Sequence, residues 1–256
     1  GATPAKQQFG QLIGASVACW AVAATVILLG TAYTFGFPEI PARQATLMKA
    51  QNLASQLNLI DQRLGQLNVS LNKSVQTDVG TANDLITQIA SLNKEIFNAE
   101  GDAPGSANDL RDLRQQRIEE LSRLVNVQTT EQPNGMVDLS ISGTSMVTGV
   151  AVNDTLQTYD PGNGNLLVRT TTGATPLTLT GGSIQGTIDA RDGALQGLRG
   201  GLNTLASSLI TEVNAVHSTG FGLTGSTGAN FFTGTTAADI AVNAAPNVRN
   251  VIYFIT

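Results

Sequence analysis

Chemistry in this sequence would have to come from very few nucleophilic or metal-binding side chains, because its 256 residues include one histidine and one cysteine. A lone histidine leaves little room for a histidine-centred triad, and a lone cysteine cannot form an internal disulfide or a cysteine-based zinc site. We interpret His217, at the end of a helical run, as structural and Cys19, inside an apolar run, as a small buried side chain. Hydrolases and zinc enzymes are therefore disfavoured.

A short charged cluster offers the first alternative, because Asp189 and Asp192 lie three residues apart with Arg191 between them. Two acids at that spacing could act as an acid–base pair, which leads to the hypothesis of a glycosidase that uses paired carboxylates. The intervening arginine instead favours ion pairs on a helix surface, and this is the interpretation we adopt.

A second charged cluster alternates in sign along a predicted helix. Its members are Asp109, Arg111, Asp112, Arg114 and Arg117. Opposite charges three residues apart are neighbours on a helix surface. The cluster therefore predicts a salt-bridged helix face.

The glycine-rich loops and the net charge exclude further classes of function. GNGN and GLTGSTG lack the pattern of a phosphate-binding loop, and Asp160–Asn165 (DPGNGN) lacks the 12-residue spacing and terminal glutamate of a calcium loop. Fourteen basic and 19 acidic residues give a net charge of −5, which argues against a nucleic-acid partner. We predict no catalytic residue, no metal site and no cofactor.

An uncharged stretch from Gln7 to Pro38 precedes the rest of the chain. Its core, Leu12–Phe37, has 26 mostly apolar residues, and a membrane-spanning helix needs about 20. Residues 1–40 are therefore either a possible transmembrane helix or a non-native leader. The first alternative makes the protein a membrane-anchored helical interaction module.

Helical periodicity governs two long stretches, predicted at 41–126 and 184–218. Apolar residues recur at alternating steps of four and three from Leu53 to Leu71, as in a helix that packs on other helices. Asparagine and glutamine, Asn58 and Asn68 among them, are expected to keep the outer face of this helix hydrated. Gly80 marks either a break or a weak point, and Ser106 or Asn108 is expected to cap a third helix.

The return stretch, from Ile184 to Val216, fits one long amphipathic helix. Its glycines Gly193, Gly197, Gly200 and Gly201 are expected to permit close approach of neighbouring helices.

Residues 127–183 read as a small antiparallel β insertion, because MVDLSIS (Met136–Ser142) alternates with period two. Turns are predicted at Pro133–Gly135 and Pro161–Asn165, and LLVRTTT and PLTLT are further strand candidates. Residues 219–256 are predicted to begin a truncated Gly/Thr-rich β domain. The predicted fold class is α+β, mainly α: an elongated antiparallel helical bundle or coiled-coil rod with a β-hairpin insertion.

The order of these segments resembles that of the flagellar hook-associated proteins of the hook–filament junction, the FlgK family. The segments that carry the resemblance are Pro41–Leu64, Ala82–Ile96, Ser106–Gly143, Gly181–Gly225 and Gly228–Phe232. It covers residues 41–243. Both ends depart from the family, because the usual terminal helices are missing.

The resemblance implies a structural subunit of the bacterial flagellum, outside the cell and exported by the flagellar type III apparatus. It implies self-association with identical subunits, and contacts with the hook and with a second junction protein. The family offers no catalytic residues to carry over. The membrane-anchored alternative, through residues 12–37, stays open at this point.

Overall fold

The computed structural model describes residues 39–101, 105–221 and 227–244. They form four α-helices, one π-helical segment and eight short strands. The mainly helical α+β class with a small antiparallel sheet is confirmed. The apolar run Leu12–Phe37 and Cys19 lie outside the described residues.

Helix α1 runs without interruption over Glu39–Ala99, 61 residues. Pro41 lies in its first turn, where a missing N–H removes no intrahelical bond. The possible break at Gly80 does not occur. Glycine costs a helix about 1 kcal/mol relative to alanine, and burial of the neighbouring Val79 and Ala82 offsets that cost.

Helix α2 spans Asn108–Leu124. The capping prediction was wrong, because Ala107 occupies the N-cap position and no side chain at that position bonds to the helix. The carboxylate of Glu100 substitutes for a cap by accepting a hydrogen bond from the Ala107 N–H at 3.2 Å. An acceptor seven residues upstream thus satisfies a free donor of the helix end.

The β region forms two sheets, although the sequence suggested one. The first has four antiparallel strands in the order β1-β2-β3-β4, and the second pairs β5 with β6. PLTLT forms no strand and contributes only a bridge between Pro176 and Arg169. The strands are β1 (Val127–Glu131), β2 (Val137–Ile141), β3 (Thr144–Thr148), β4 (Ala151–Val152), β5 (Leu156–Tyr159) and β6 (Leu167–Thr170).

The return stretch is helical throughout, but its geometry changes on the way. Helix α3 (Gly182–Asp189) continues into a π-helical segment (Ala190–Leu195) and then into helix α4 (Gln196–His217). Strands β7 (Phe232–Thr233) and β8 (Ala241–Val242) pair after it.

The packing role expected for the four glycines of this stretch was wrong. A Cβ at any of Gly193, Gly197, Gly200 and Gly201 would meet no atom within 4 Å. Close approach occurs instead at Gly182, where a Cβ would overlap the carbonyl of Leu124 and where φ is +84°.

The chain divides into two compact units. Residues 67–195 form one, whose core joins the second half of α1 to α2, both sheets and α3. The other unit contains residues 39–66 and the described part of 196–244, and its core joins the first half of α1 to α4 and to the β7–β8 segment. The boundaries predicted from the sequence, at 40, 126, 183 and 218, stay a prediction.

Candidate functional site

The single histidine ends α4 and is buried. Its Nδ1 lies 2.7 Å from the carbonyl oxygen of Ala229, so Nδ1 is the donor. Its ring packs on that of Phe231 with the centroids 5.3 Å apart. In the described part of the chain, Nε2 has no hydrogen-bond partner. His217 thus anchors the segment that follows the helix.

Arg191 is fully buried, so the expected ion pair on a helix surface was misplaced. Its guanidinium binds both oxygens of Asp192 at 2.8 Å and donates at 2.7 Å to Asn72 Oδ1 and to the carbonyl of Leu166. These hydrogen bonds hold the pKa of Asp192 below its ordinary value, against the opposing effect of burial. Asp189 stands apart and accepts a hydrogen bond from Gln185. Each acid thus has a partner of its own, Arg191 for Asp192 and Gln185 for Asp189.

The predicted salt-bridged face of α2 does not form as expected. In the described ranges, none of the five residues pairs with another of them, and Arg117 bonds Glu120 at 2.6 Å. Arg111 reaches outside the helix to Glu100 at 2.7 Å and to Glu131 at 2.9 Å. The sequence pattern therefore identified the charged residues of α2 but did not predict the residues with which they pair.

The Glu100–Arg111 pair lines a pocket of about 300 Å³, together with Phe97 and the turn at Pro133–Gly135. Hydrogen bonds from Arg111, and weaker ones from backbone N–H groups, lower the pKa of Glu100 to about 2 against the effect of burial. Arg111 also binds Glu131. Arg111 therefore holds Glu100 in its ionised form, which is unsuited to a general acid.

Arg114 is buried one turn further along α2 and has no carboxylate partner among the described residues. Its Nη1 donates to Asn93 Oδ1 at 2.9 Å and to the carbonyl of Gly135 at 2.7 Å. Burial lowers its pKa. Its direct partners are amide oxygens, while the charges of Glu131 and Glu100 act on it at longer range.

The loop Asp160–Asn165 uses its carboxylate internally. Asp160 accepts hydrogen bonds from the backbone N–H groups of Gly162, Asn163 and Gly164 at 2.7 to 3.0 Å, which lowers its pKa. Elsewhere in residues 39–101, 105–221 and 227–244, no three histidine, cysteine, aspartate or glutamate side chains gather in a possible metal site. None of the helices in these ranges combines the length and apolarity that a membrane crossing requires.

Sequence reasoning missed four asparagines that tie strands and a loop to helices. We call them the asparagine clamps: Asn72, Asn83, Asn93 and Asn214. Each donates from Nδ2 to a backbone carbonyl and accepts a backbone N–H at Oδ1, as a neighbouring strand would.

Three clamps each bond both backbone groups of the first residue of a strand. Asn83 binds Leu156 of β5 at 2.8 Å twice, Asn93 binds Val137 of β2 at 2.8 and 3.1 Å, and Asn214 binds Phe232 of β7 at 2.9 Å twice. Each clamp therefore fixes where a strand begins against its helix.

The outer face of α1, which was predicted to be hydrated, also contains asparagines that bind other parts of the chain. Asn58 donates to the carbonyls of Ala237 and Ile240, and Asn68 donates to Asn165. The apolar residues that recur at steps of four and three from Leu53 to Leu71 form what we call the apolar stripe of α1. Two of its members remain uncovered: Ile60 is 43% exposed and Leu67 is 46% exposed.

The family model described as "Flagellar hook-associated protein FlgK helical domain" matches residues 38–232. The chain belongs to this family. The matched range contains all four clamps, both buried arginines and both sheets of the 67–195 unit. The resemblance inferred from the sequence is confirmed.

Individual FlgK relatives agree with that assignment. Flagellar hook-associated protein 1 of Salmonella typhimurium is 30% identical over 206 residues, which cover 75% of this chain and 36% of that protein. The Escherichia coli protein of the same name is 30% identical over 200 residues, covering 75% and 37%. The structure of the flagellar hook junction protein FlgK from Burkholderia pseudomallei matches with a TM-score of 0.70 at 29% identity, over 86% of this chain and 40% of that one. The chain thus spans well under half the length of these FlgK proteins.

Proposed function

We propose that this chain is part of a structural subunit of the bacterial flagellum at the hook–filament junction, and that it acts by packing against other subunits and not by catalysis. Its site of action is the extracellular flagellum. Its partners are identical subunits, the hook and the second junction protein. Membership of the FlgK family and the names of the relatives support this proposal.

The geometric observation that carries the proposal is the uncovered part of the apolar stripe on α1. Leu57 is buried within the chain, whereas Ile60 and Leu67 of the same stripe stay largely in contact with solvent. Apolar side chains on a helix gain free energy when a partner helix covers them. The stripe is therefore suited to contact a further helix.

The fate of the polar groups argues against catalysis as the role of this chain. Asp192, Glu100 and Glu131 all bind arginines, and Asp160 binds backbone N–H groups. A general acid or base needs a free proton-transfer site and a poised pKa, and Glu100 has a pKa of about 2. These groups serve to hold the fold together.

The test uses hook particles and this chain joined to the two terminal helices of a FlgK relative. We expect the protein to pellet with hook particles, and Ile60→Asp combined with Leu67→Asp to abolish pelleting. The matched control is Gln62→Asp combined with Gln66→Asp, which adds the same charge at exposed polar positions of α1. Unchanged far-UV circular dichroism would show that both variants fold. Failure of the unmodified protein to pellet contradicts the proposal.

The membrane-anchored module remains the second candidate, because the sequence run Leu12–Phe37 is long enough to span a bilayer. Carbonate extraction of membranes from expressing cells separates the two functions. Retention in the pellet favours the anchor, and release favours the junction subunit.

A further inference from the structure

The backbone crosses between the two units twice, and both crossings lie inside helical segments. The first falls between residues 66 and 67 of α1, and the second falls between residues 195 and 196, where the π-helical segment meets α4. One glycine, Gly65, lies at the first crossing, and four lie near the second: Gly193, Gly197, Gly200 and Gly201.

None of these five glycines is required by packing or by backbone geometry. A Cβ at each would meet no atom within 4 Å, and none has a positive φ. Glycine inside a helix weakens it relative to alanine, because glycine loses more backbone freedom on folding. Of the glycines inside the described helical segments, only Gly80 and Gly186 are equally open and lie away from the crossings.

The second crossing has two further features at which helices bend. A π-helical segment interrupts the regular ladder of hydrogen bonds, and adjacent glycines are a recognised position for kinks. The segment Ala190–Leu195 directly precedes this crossing, and Gly200 and Gly201 lie in the first two turns of α4, which begins after it.

The residues on each side of these points are held firmly in their own unit. In the unit of residues 67–195, Arg191 binds Asn72 and Asp192, which fixes the π-helical segment to α1. In the other unit, Arg199 binds Asp61 at 2.9 Å, which fixes α4 to α1. Of the crossing glycines, Gly65, Gly193 and Gly197 lie between these bonds, and Gly200 and Gly201 directly follow the bonded Arg199.

We propose that the two crossings together form a flexure, at which α1 and the return stretch bend while both cores stay intact. A chain with such a flexure fits neighbours in more than one arrangement without unfolding either unit. The inference concerns the chain by itself and does not depend on the flagellar role.

The test measures the distance between two spin labels by double electron–electron resonance. The labels are placed at Ser55→Cys and Gln88→Cys, exposed positions of α1 on either side of the first crossing, in a Cys19→Ser background. One variant replaces all five crossing glycines by alanine. The matched control carries Gly80→Ala and Gly186→Ala, which are open helical glycines away from the crossings.

We expect a broad distance distribution in the parent and in the control, and a clearly narrower one in the five-alanine variant. Equal widths in all three proteins would overturn the proposal. Hydrogen exchange supplies a second reading: amides around both crossings should exchange about five-fold more slowly for each glycine replaced. If amides at the crossings of the parent are already as protected as those of residues 85–96, the flexure does not exist.

Discussion

Arg114 and Arg191 are both buried in the unit of residues 67–195, yet among the residues described there only Arg191 bonds directly to a carboxylate. Arg114 donates to the amide oxygen of Asn93 and to one backbone carbonyl. Arg191 has a similar pair of amide acceptors and Asp192 in addition. The difference indicates that a guanidinium is buried here without a directly bonded carboxylate, while Glu131 and Glu100 act on Arg114 through space.

Replacement of Asn93 by alanine should have the largest effect of the changes considered. Asn93 is fully buried, and its loss removes the bonds to Val137, to the carbonyl of Gly149 and to Arg114. Several buried polar groups would be left unpaired, so we expect a loss of about 3–5 kcal/mol in the free energy of unfolding. Urea unfolding measures it.

The control for this change is Asn98→Ala, an exposed asparagine on the same helix. That variant should stay within about 0.5 kcal/mol of the parent. Equal losses in both would mean that Asn93 acts through helix propensity and not as a clamp.

The burial of Asn93 was within reach of sequence analysis in one respect. It lies four residues after Ile89 and three before Ile96, so it occupies a position of the apolar rhythm. An asparagine there predicts a buried polar group. Its partners could not be predicted, because Val137 lies 44 residues away and the contact depends on the tertiary fold.

The helices and most strands were predictable, because their periods of 3.6 and two are local properties of the sequence. The burial of Arg191 follows the same rhythm as that of Asn93, because Arg191 lies three residues after Ile188 and four before Leu195, and all three are buried. Leu198 continues that spacing but is exposed. A π-helical segment has a longer repeat than an α-helix, so it shifts the face on which later residues lie. Nothing in the local sequence signals that shift.

Replacement of Asp192 by asparagine leaves Arg191 with amide and carbonyl acceptors but no bonded carboxylate, as at Arg114. The charge-assisted bonds to Arg191 are lost and an amide oxygen remains as acceptor. We expect a loss of about 2 kcal/mol, because Asp192 is partly exposed and its pair is partly screened. Thermal unfolding checks it.

The matched control is Asp189→Asn, which lies in α3 and binds no arginine. If Asp192→Asn abolished folding while Asp189→Asn did not, a carboxylate would be required to bury Arg191. The comparison with Arg114 would then fail.

Low pH should reduce the free energy of unfolding by protonating Glu100, the partner of Arg111. The folded-state pKa of Glu100 is lowered from 4.5 to about 2 by hydrogen bonds from Arg111. The resulting stabilisation is complete above pH 4.5 and is lost as the pH falls toward 2. Glu100→Gln should therefore flatten the pH dependence of the unfolding free energy in that window. Glu95→Gln, which removes an exposed carboxylate of α1, is the matched control.

The smallest effect is expected for Arg114→Met, a change that keeps most of the side-chain volume. Removal of the guanidinium relieves the desolvation that lowers the pKa of Arg114, and Asn93 Oδ1 keeps its bond to the Val137 N–H. We expect a change of less than about 1 kcal/mol in the free energy of unfolding, whereas Arg191→Met should cost about 2 kcal/mol because its ion pair is lost as well. Urea unfolding of both variants under one condition gives the difference. A larger loss for Arg114→Met than for Arg191→Met would mean that amide acceptors bind a buried guanidinium more strongly than a half-exposed carboxylate does, which would reverse the order of the two sites.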